Sequence, residues 1–196
     1  MTKSMTDIFE IRSQLQKRLK PHRYEHTLGV SYTAVCLAMR YGGDLKQAEL
    51  AGLLHDCARQ YKASEMVKQC EKYKIEISEA EHQNPLLLHA KLGAEMAVSE
   101  YHVGDQEIAS AVRYHTTGRP GMTLLEKIIY LADYIEPRRD QAPNLDDIRR
   151  LAFQDLDNCI YQVMKQILEY LERSGGIIDD TTKQAYLYYK EKETNR

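Results

Sequence analysis

The chain has 196 residues, a length that one domain accommodates and that suffices to bury a core beneath an enclosed polar site. Its net charge is −2, with 29 acidic against 27 basic side chains, so no broad attraction to nucleic acid is expected and an anionic substrate must be gripped locally. No apolar run reaches the length of a membrane span, and the opening MTKSMTDIFEIRSQLQKRL lacks a signal-peptide core, which predicts a soluble, cytoplasmic protein without a membrane partner.

Alternating runs of β-branched residues are nearly missing, and Gly and Pro fall mainly between helical patterns, so the chain reads as all-α, a single domain over residues 1–196. The first helix is predicted from about Asp7 to Lys20, with Ile8, Ile11, Leu15 and Leu19 at three-to-four spacing and Pro21 as its stop. A second runs from about Arg23 to Tyr41, where His26, Val30, Thr33 and Leu37 share a core-facing stripe and Gly42-Gly43 ends it. Asp44 and Gln47 have capping-box spacing and open a third helix through Leu50, Leu53 and Leu54 into the dyad His55-Asp56. Ser64 is the expected cap of a short polar helix, and Pro85 begins the next, with Leu88, His89, Leu92, Gly93 and Met96 facing inward. Asp105 opens a helix that reaches Tyr114, and the stretch from His115 to Gly121 reads as a loop. Thr123 and Glu126 then form a second capping box ahead of the helix that carries Asp133, which Pro137 closes. Asn144, Asp155 and either Asp180 or Thr181 are the expected caps of three later helices, and the tail from Lys190 is expected to fray.

A His-Asp pair alone is weak evidence, because a chain with seven histidines can meet one by chance. Its setting here is stronger. The dyad ends the apolar helix LAGLLHDCA, where burying an uncompensated carboxylate is costly and a cation compensates it. Asp133 repeats the situation in IIYLADYIE, and His26, His89 and His115 lie near small or polar residues. Each histidine taken singly is more simply a hydrogen-bonded core or surface residue; their combination with two buried carboxylates favours a metal centre. His22, His82 and His102 read as surface residues. The four cysteines form no CxxC pair, which argues against a zinc knuckle or a disulfide framework, and Cys57 reads as a small packed thiol. Imidazole and carboxylate together suit iron, manganese, cobalt or zinc better than calcium or magnesium.

The order His26, His55-Asp56, Asp133 on separate helices resembles the HD superfamily of metal-dependent phosphohydrolases. Over nearly its whole length the chain is similar to the bacterial HD-domain symmetrical diadenosine tetraphosphate hydrolases, through RYEHTLGV, AGLLHDCAR, HAKLGA, RYHTTGRPGMTLLEKIIYLADYIEPRR and GGIIDDTT. No metal position departs from the pattern. The resemblance implies a helical HD-domain bundle with the metal site at its centre, His26, His55, Asp56 and Asp133 as ligands, and iron as first choice, in one or two ions. It also implies cleavage of a dinucleoside tetraphosphate at its centre into two ADP, with Asp56 and His55 at the catalytic position and Asp56 the best candidate to orient water. His89 and His115, on the opposite wall of the pocket, either complete a second metal site or contact phosphate.

A phosphoanhydride hydrolase must neutralise phosphate charge and present a nucleophile in line with the leaving group. Arg59 and Arg139, with Arg138 as a substitute, offer forked contacts to phosphate, and Thr116 offers a hydroxyl or an amide. The implied substrate-facing set also takes in His26, Asp56, Cys57, Ala58, His89 and His115. The late segment Gly176, Ile177, Ile178, Asp179, Asp180 and Thr181 would border the nucleotide, with the two isoleucines toward the base. Any of the 14 tyrosines offers a stacking surface for adenine, and the pattern does not single one out. The expected partner is therefore a small dinucleoside polyphosphate or ADP, with a homodimer compatible. Two other readings remain: an HD phosphohydrolase of another nucleotide or phosphodiester, and a non-catalytic nucleotide-binding regulatory module.

Overall fold

Helix boundaries in this chain follow the local chemistry of their ends. The computed structural model describes residues 7–195, and within them the ordered elements are helical, with no strand. Part of the N-terminal stretch read for a leader, residues 1–6, lies outside the described residues. Helix α1 (Ile8–Arg18) starts where the Asp7 carboxylate accepts from the Phe9 N–H. It stops short of Pro21, which serves as the first residue of α2 (Pro21–Tyr41), where its missing N–H costs nothing. Gly42, left-handed at φ 72°, ends α2.

Asp44 caps α3 (Leu45–Leu54) by accepting from the Lys46 and Gln47 N–H groups. The reciprocal arm expected of Gln47 is not among the hydrogen bonds formed there; its amide donates at 2.7 Å to Asp105, which caps the later helix beginning at Gln106, and so ties two helix starts together. A 3-10 turn (Cys57–Gln60) leads to α4 (Ala63–Lys72). Ser64 lies inside α4 and does not cap it: the cap residue is Lys62, whose N–H donates to Glu65. The short α5 (Glu79–Gln83), capped reciprocally by Ser78 and Glu81, was not anticipated, because five residues are too few for a helical period to show.

A Pro85–Leu87 turn precedes α6 (Leu88–Ser99), whose Leu88, His89, Leu92, Gly93 and Met96 are all buried. Helix α7 (Gln106–Tyr114) is capped by Asp105, and α8 (Leu124–Ile135) by the Thr123/Glu126 box, formed in both directions. Asn144 precedes α9 (Leu145–Ala152) in a left-handed conformation and makes no side-chain cap. Asp155 caps α10 (Leu156–Ser174) through the Asn158 N–H. The cap of α11 (Asp180–Thr194) is Asp179, one residue before the earlier of the two expected positions. The tail does not fray at Lys190: α11 continues to Thr194, with Tyr189 buried and Lys192 paired to Asp157 at 2.6 Å.

One hydrophobic core runs from Ile11 in α1 to Tyr189 in α11, and most of α8 is buried within it. Helices α2 and α3 pack closely because Gly52 has no side chain: a Cβ there would lie 2.6 Å from the Ser31 Cα. This close antiparallel crossing carries the start of α2, with His26, against the end of α3, with His55. No described helix is long and apolar enough to cross a membrane.

Candidate metal centre and adjoining cavity

Side chains from α2, α6 and α8 and from the ends of α3 and α7 converge around Asp56. His26 Nε2 lies 3.0 Å from Asp133 Oδ1 and 3.9 Å from Asp56 Oδ2, and His55 Nε2 lies 3.5 Å and 3.9 Å from the same Asp56 and Asp133 oxygens. On the other side of Asp56, Oδ1 is 3.4 Å from His89 Nε2 and 3.8 Å from His115 Nε2. Ligand atoms of His26, His55 and Asp56 therefore fall within 4.8 Å of one another, as do those of Asp56, His89 and His115. Asp56 belongs to both triads.

The Nδ1 partners set the tautomers. Three Nδ1 atoms face backbone carbonyls, which can only accept: Gly52 O for His55 at 2.7 Å, Leu86 O for His89 at 2.6 Å and Val112 O for His115 at 2.7 Å. His26 Nδ1 donates to Glu136 Oε1 at 3.0 Å. In their neutral forms all four rings then turn an Nε2 lone pair inward, the arrangement of metal-binding histidines anchored through their second nitrogen. His26 Nε2 and His55 Nε2 are buried without a hydrogen-bond partner, and His89 Nε2 faces His115 Nε2 at 3.0 Å, a pair of lone pairs that a cation relieves. Thr116 Oγ1 is 3.1 Å from both. The donor set fits a divalent metal ion.

Electrostatics agree with that fit. Burial pulls His55 down to about 4 and His89 down to about 3, over the opposing pull of the carboxylates, so both are neutral at physiological pH, the form in which an imidazole can bind a metal. Burial also works to raise the Asp56 and Asp133 carboxyls, but the surrounding imidazoles, and Arg139 at Asp133, hold both below the usual carboxylate range. Burial pushes the Cys57 thiol up, and its S–H faces Gly93 O at 3.6 Å, so it is a packed group and no nucleophile.

Arginines ring the cluster. Arg23 reaches Asp56 Oδ2 at 2.8 Å, Arg59 Nε reaches Oδ1 at 3.3 Å, and Arg139 holds Asp133 through both its carboxylate at 2.8 Å and its carbonyl at 3.0 Å. Beside them opens a cavity of about 840 Å³ between the start of α2, the 138–143 loop and α10, with Arg23, His26, Glu136 and Arg139 among its lining.

Residues 23–138 match the HD domain family. A relative from Bacillus subtilis (strain 168), bis(5'-nucleosyl)-tetraphosphatase, symmetrical, is 44% identical over 168 residues, which cover 85% of this chain and 89% of the relative. The chain belongs to the HD-domain symmetrical bis(5'-nucleosyl)-tetraphosphatase family. A Staphylococcus aureus (strain NCTC 8325 / PS 47) tetraphosphatase of the same name is 36% identical, over 89% of this chain and 90% of the relative. A solved structure from Clostridium acetobutylicum, called a predicted HD superfamily hydrolase involved in NAD metabolism, superposes with a TM-score of 0.91 at 35% identity, covering 95% of this chain and 98% of that one.

Within this HD-domain chain the sequence-derived site residues do not all share one surface. His26, His55, Asp56, His89, His115 and Asp133 come together, with Arg59, Thr116 and Arg139 touching them. Cys57 and Ala58 are buried as whole residues, side chain and backbone alike. Arg138 lines the cavity and pairs with Glu25 at 2.7 Å. In the late segment, Asp179 caps α11, Asp180 pairs with Lys183 at 2.9 Å, and Gly176, Ile177, Ile178 and Thr181 are not among the residues lining the cavity. Sequence reading missed Arg23, Glu136 and the cavity position of His22. The signal was available for the first two: Arg23 stands three residues before His26 and Glu136 three after Asp133, one helical turn away.

Proposed function

We propose that this chain is a metal-dependent hydrolase that cleaves diadenosine tetraphosphate symmetrically into two ADP, acting as one HD-type domain over residues 1–196 in the cytoplasm. The observation that carries this reading is the pair of His/Asp triads sharing Asp56, set beside an arginine-lined cavity. The family's tetraphosphatases support the choice of substrate. His26, His55, Asp56 and Asp133 hold the first ion, with iron preferred over manganese, cobalt and zinc. The facing lone pairs of His89 and His115 favour their joining Asp56 around a second ion over direct phosphate contact. A metal bound there supplies Lewis-acid polarisation of a phosphoryl oxygen and a water of lowered pKa.

The protein's own groups do the rest. Arg23, Arg59 and Arg139 set positive charge where the tetraphosphate chain arrives, each with a forked donor suited to phosphate. Asp56, ionised and buried, accepts a hydrogen bond from the attacking water and fixes its direction. Thr116 offers its hydroxyl to a phosphate oxygen. The leaving group is a nucleoside diphosphate of low pKa, so no strong general acid is required, and neutral His55 and His89 do not offer one. Holding one nucleoside with its two nearest phosphates presents the second phosphorus to the cluster, which makes the cut symmetrical.

Product chromatography on a nucleotide panel, with and without added iron, tests the assignment. Diadenosine tetraphosphate should give ADP alone, and hydrolysis in heavy-oxygen water should label one ADP of each pair at its terminal phosphate. AMP plus ATP would end the symmetrical reading. No hydrolysis with any supplied metal, beside tight ADP binding, would make the chain a regulatory module. Replacing Arg139 by Ala should slow turnover by roughly ten- to a thousandfold, with little change in thermal stability.

A further inference from the structure

Helix α2 is apolar on two sides. Val30, Ala34, Leu37 and Ala38 enter the core, while Leu28, Tyr32, Val35 and Met39 lie along the opposite face at 4-3-4 spacing. Tyr32 is 54% and Met39 61% exposed, Leu28 and Val35 are half-buried, and residues 27–39 hold no charged side chain. A surface helix ordinarily turns charge to water on the side away from the core; a helix that is apolar all round is one that is covered all round. Both phenylalanines of the chain are exposed, and both stand at the edges of this face. Phe9, 78% exposed, comes one helical turn before Arg12, whose guanidinium lies 5.4 Å from the centre of the Tyr32 ring. Phe153, 38% exposed, is tied to the far end of α2, where its carbonyl accepts from Arg40 Nε at 2.7 Å.

We infer that this face is the contact between two copies of the chain, their α2 helices packed antiparallel across a two-fold axis. The 4-3-4 spacing is the repeat by which one helix seats its side chains between those of another. Run antiparallel against itself, the stripe closes: Leu28 meets the partner's Met39 and Tyr32 meets the partner's Val35, so that every apolar position is matched, as a two-fold contact requires. The charges at its ends are complementary. Glu25 precedes the stripe and Arg40 follows it, and the antiparallel arrangement carries each toward the opposite charge on the other copy. The size of the face fits as well. Phe9, Tyr32, Met39 and Phe153, at their exposures and with roughly 200 Å² per side chain, leave about 450 Å² of apolar surface open on each copy. A standard interface takes roughly 800 Å² from each partner, a little over half of it apolar, which is the same amount. The contact goes beyond the hydrolase reading and does not depend on it.

Sedimentation velocity of the full chain over a range of concentrations tests the contact. The unaltered protein should sediment as a dimer, at twice the 22.7 kDa of one chain. Met39→Glu buries a charge in the contact and should weaken the dimer by at least about a hundredfold, with helix content unchanged. Tyr32→Lys, at a second exposed position of the stripe, should do the same and serves where the first variant folds poorly. Leu187→Glu, at an exposed apolar residue of α11, should remain dimeric. Cys36, the exposed cysteine among four, lies one residue beyond Val35 at the border of the stripe and reports on the same face. Its rate of labelling by a thiol reagent should fall as the unaltered protein is concentrated and should stay constant in Met39→Glu. A monomer at every concentration would overturn the contact. So would a dimer that survives both stripe variants, or one that Leu187→Glu disrupts while they leave it whole, since either places the interface on another surface.

Discussion

His26 Nδ1 faces a buried carboxylate, Glu136, whose second oxygen accepts from the Arg138 N–H at 2.8 Å. This clamp fixes the tautomer that turns His26 Nε2 toward Asp133. Glu136→Gln should therefore weaken metal binding by roughly ten- to a hundredfold in a chelator competition, with helix content unchanged. Gly29 makes room for the clamp, since a Cβ there would come within 2.5 Å of Glu136 Oε2. Gly29→Ala should lower metal affinity in the same direction, and unaltered affinity in both variants would show that His26 needs no orientation. The buried imidazoles also set a pH dependence for metal-free protein. His55 and His89 titrate at about 4 and about 3 when folded, against 6.5 ordinarily, so the unfolded chain takes up their protons first. Stability should fall as pH drops from about 6.5 toward 4, and the depressed Asp56 and Asp133 carboxyls add to the loss at the acid end. His26 is shifted upward by Asp133 and Glu136 over the opposing effect of burial, and contributes with the opposite sign, its stabilisation fading as pH rises through its folded value. Chemical denaturation between pH 4 and 8 reads the net slope.

Two packing devices at the level of whole elements place the side chains of the His/Asp cluster. The loop from His115 to Gly121 is held to the start of α8 by Arg119, which pairs with both oxygens of Glu126 at 3.0 Å, while Ser110 and the Thr123 N–H donate to the same carboxylate. Glu126, 1% exposed, is thus both the capping-box residue of α8 and the anchor of the loop that carries His115 and Thr116. Arg119→Ala should cost about 2 kcal/mol in urea denaturation, because it leaves a buried carboxylate short of its cation. Arg150→Ala, which breaks the exposed pair with Asp147, should cost under about 0.5 kcal/mol. The second device is the α2/α3 crossing at Gly52. Gly52→Ala must separate the two helices, at a cost of about 1–3 kcal/mol, and should lower metal affinity as well, because His26 and His55 ride on opposite partners of that crossing.

For the molecule as a whole, the centre concentrates imidazoles and carboxylates inside an all-helical core, so metal binding there would be linked to folding. Iron or manganese at about a hundred times its dissociation constant should add about 2.7 kcal/mol of stability, visible as a rise in Tm that a chelator reverses. Asp56→Ala, which removes the residue common to both triads, should abolish the rise and the turnover together. His82→Ala, on an exposed residue of α5, should leave both intact. Equal effects of the two changes would mean that the ligands lie elsewhere.

Much of this was legible in the residues because it is local. Helical period marks which face of α2, α6 and α8 is buried, the Asp44, Asp105 and Thr123/Glu126 caps mark where helices begin, and an apolar helix ending in His-Asp marks a carboxylate that needs a cation. The limits of local signals are also visible: α5 is too short to show a period, and Asp179 caps α11 where two neighbouring residues offered the same chemistry. Periodicity says that a face is covered; it does not say by what. Only the packing of α2 on α3 and α8 brings Glu136 to His26, 110 residues away, makes Asp56 common to two triads, and sets His89 against His115. The cavity is likewise tertiary, for its walls come from the start of α2, the loop after α8 and the end of α10, whose apolar stripe is indistinguishable in sequence from one that finishes a core.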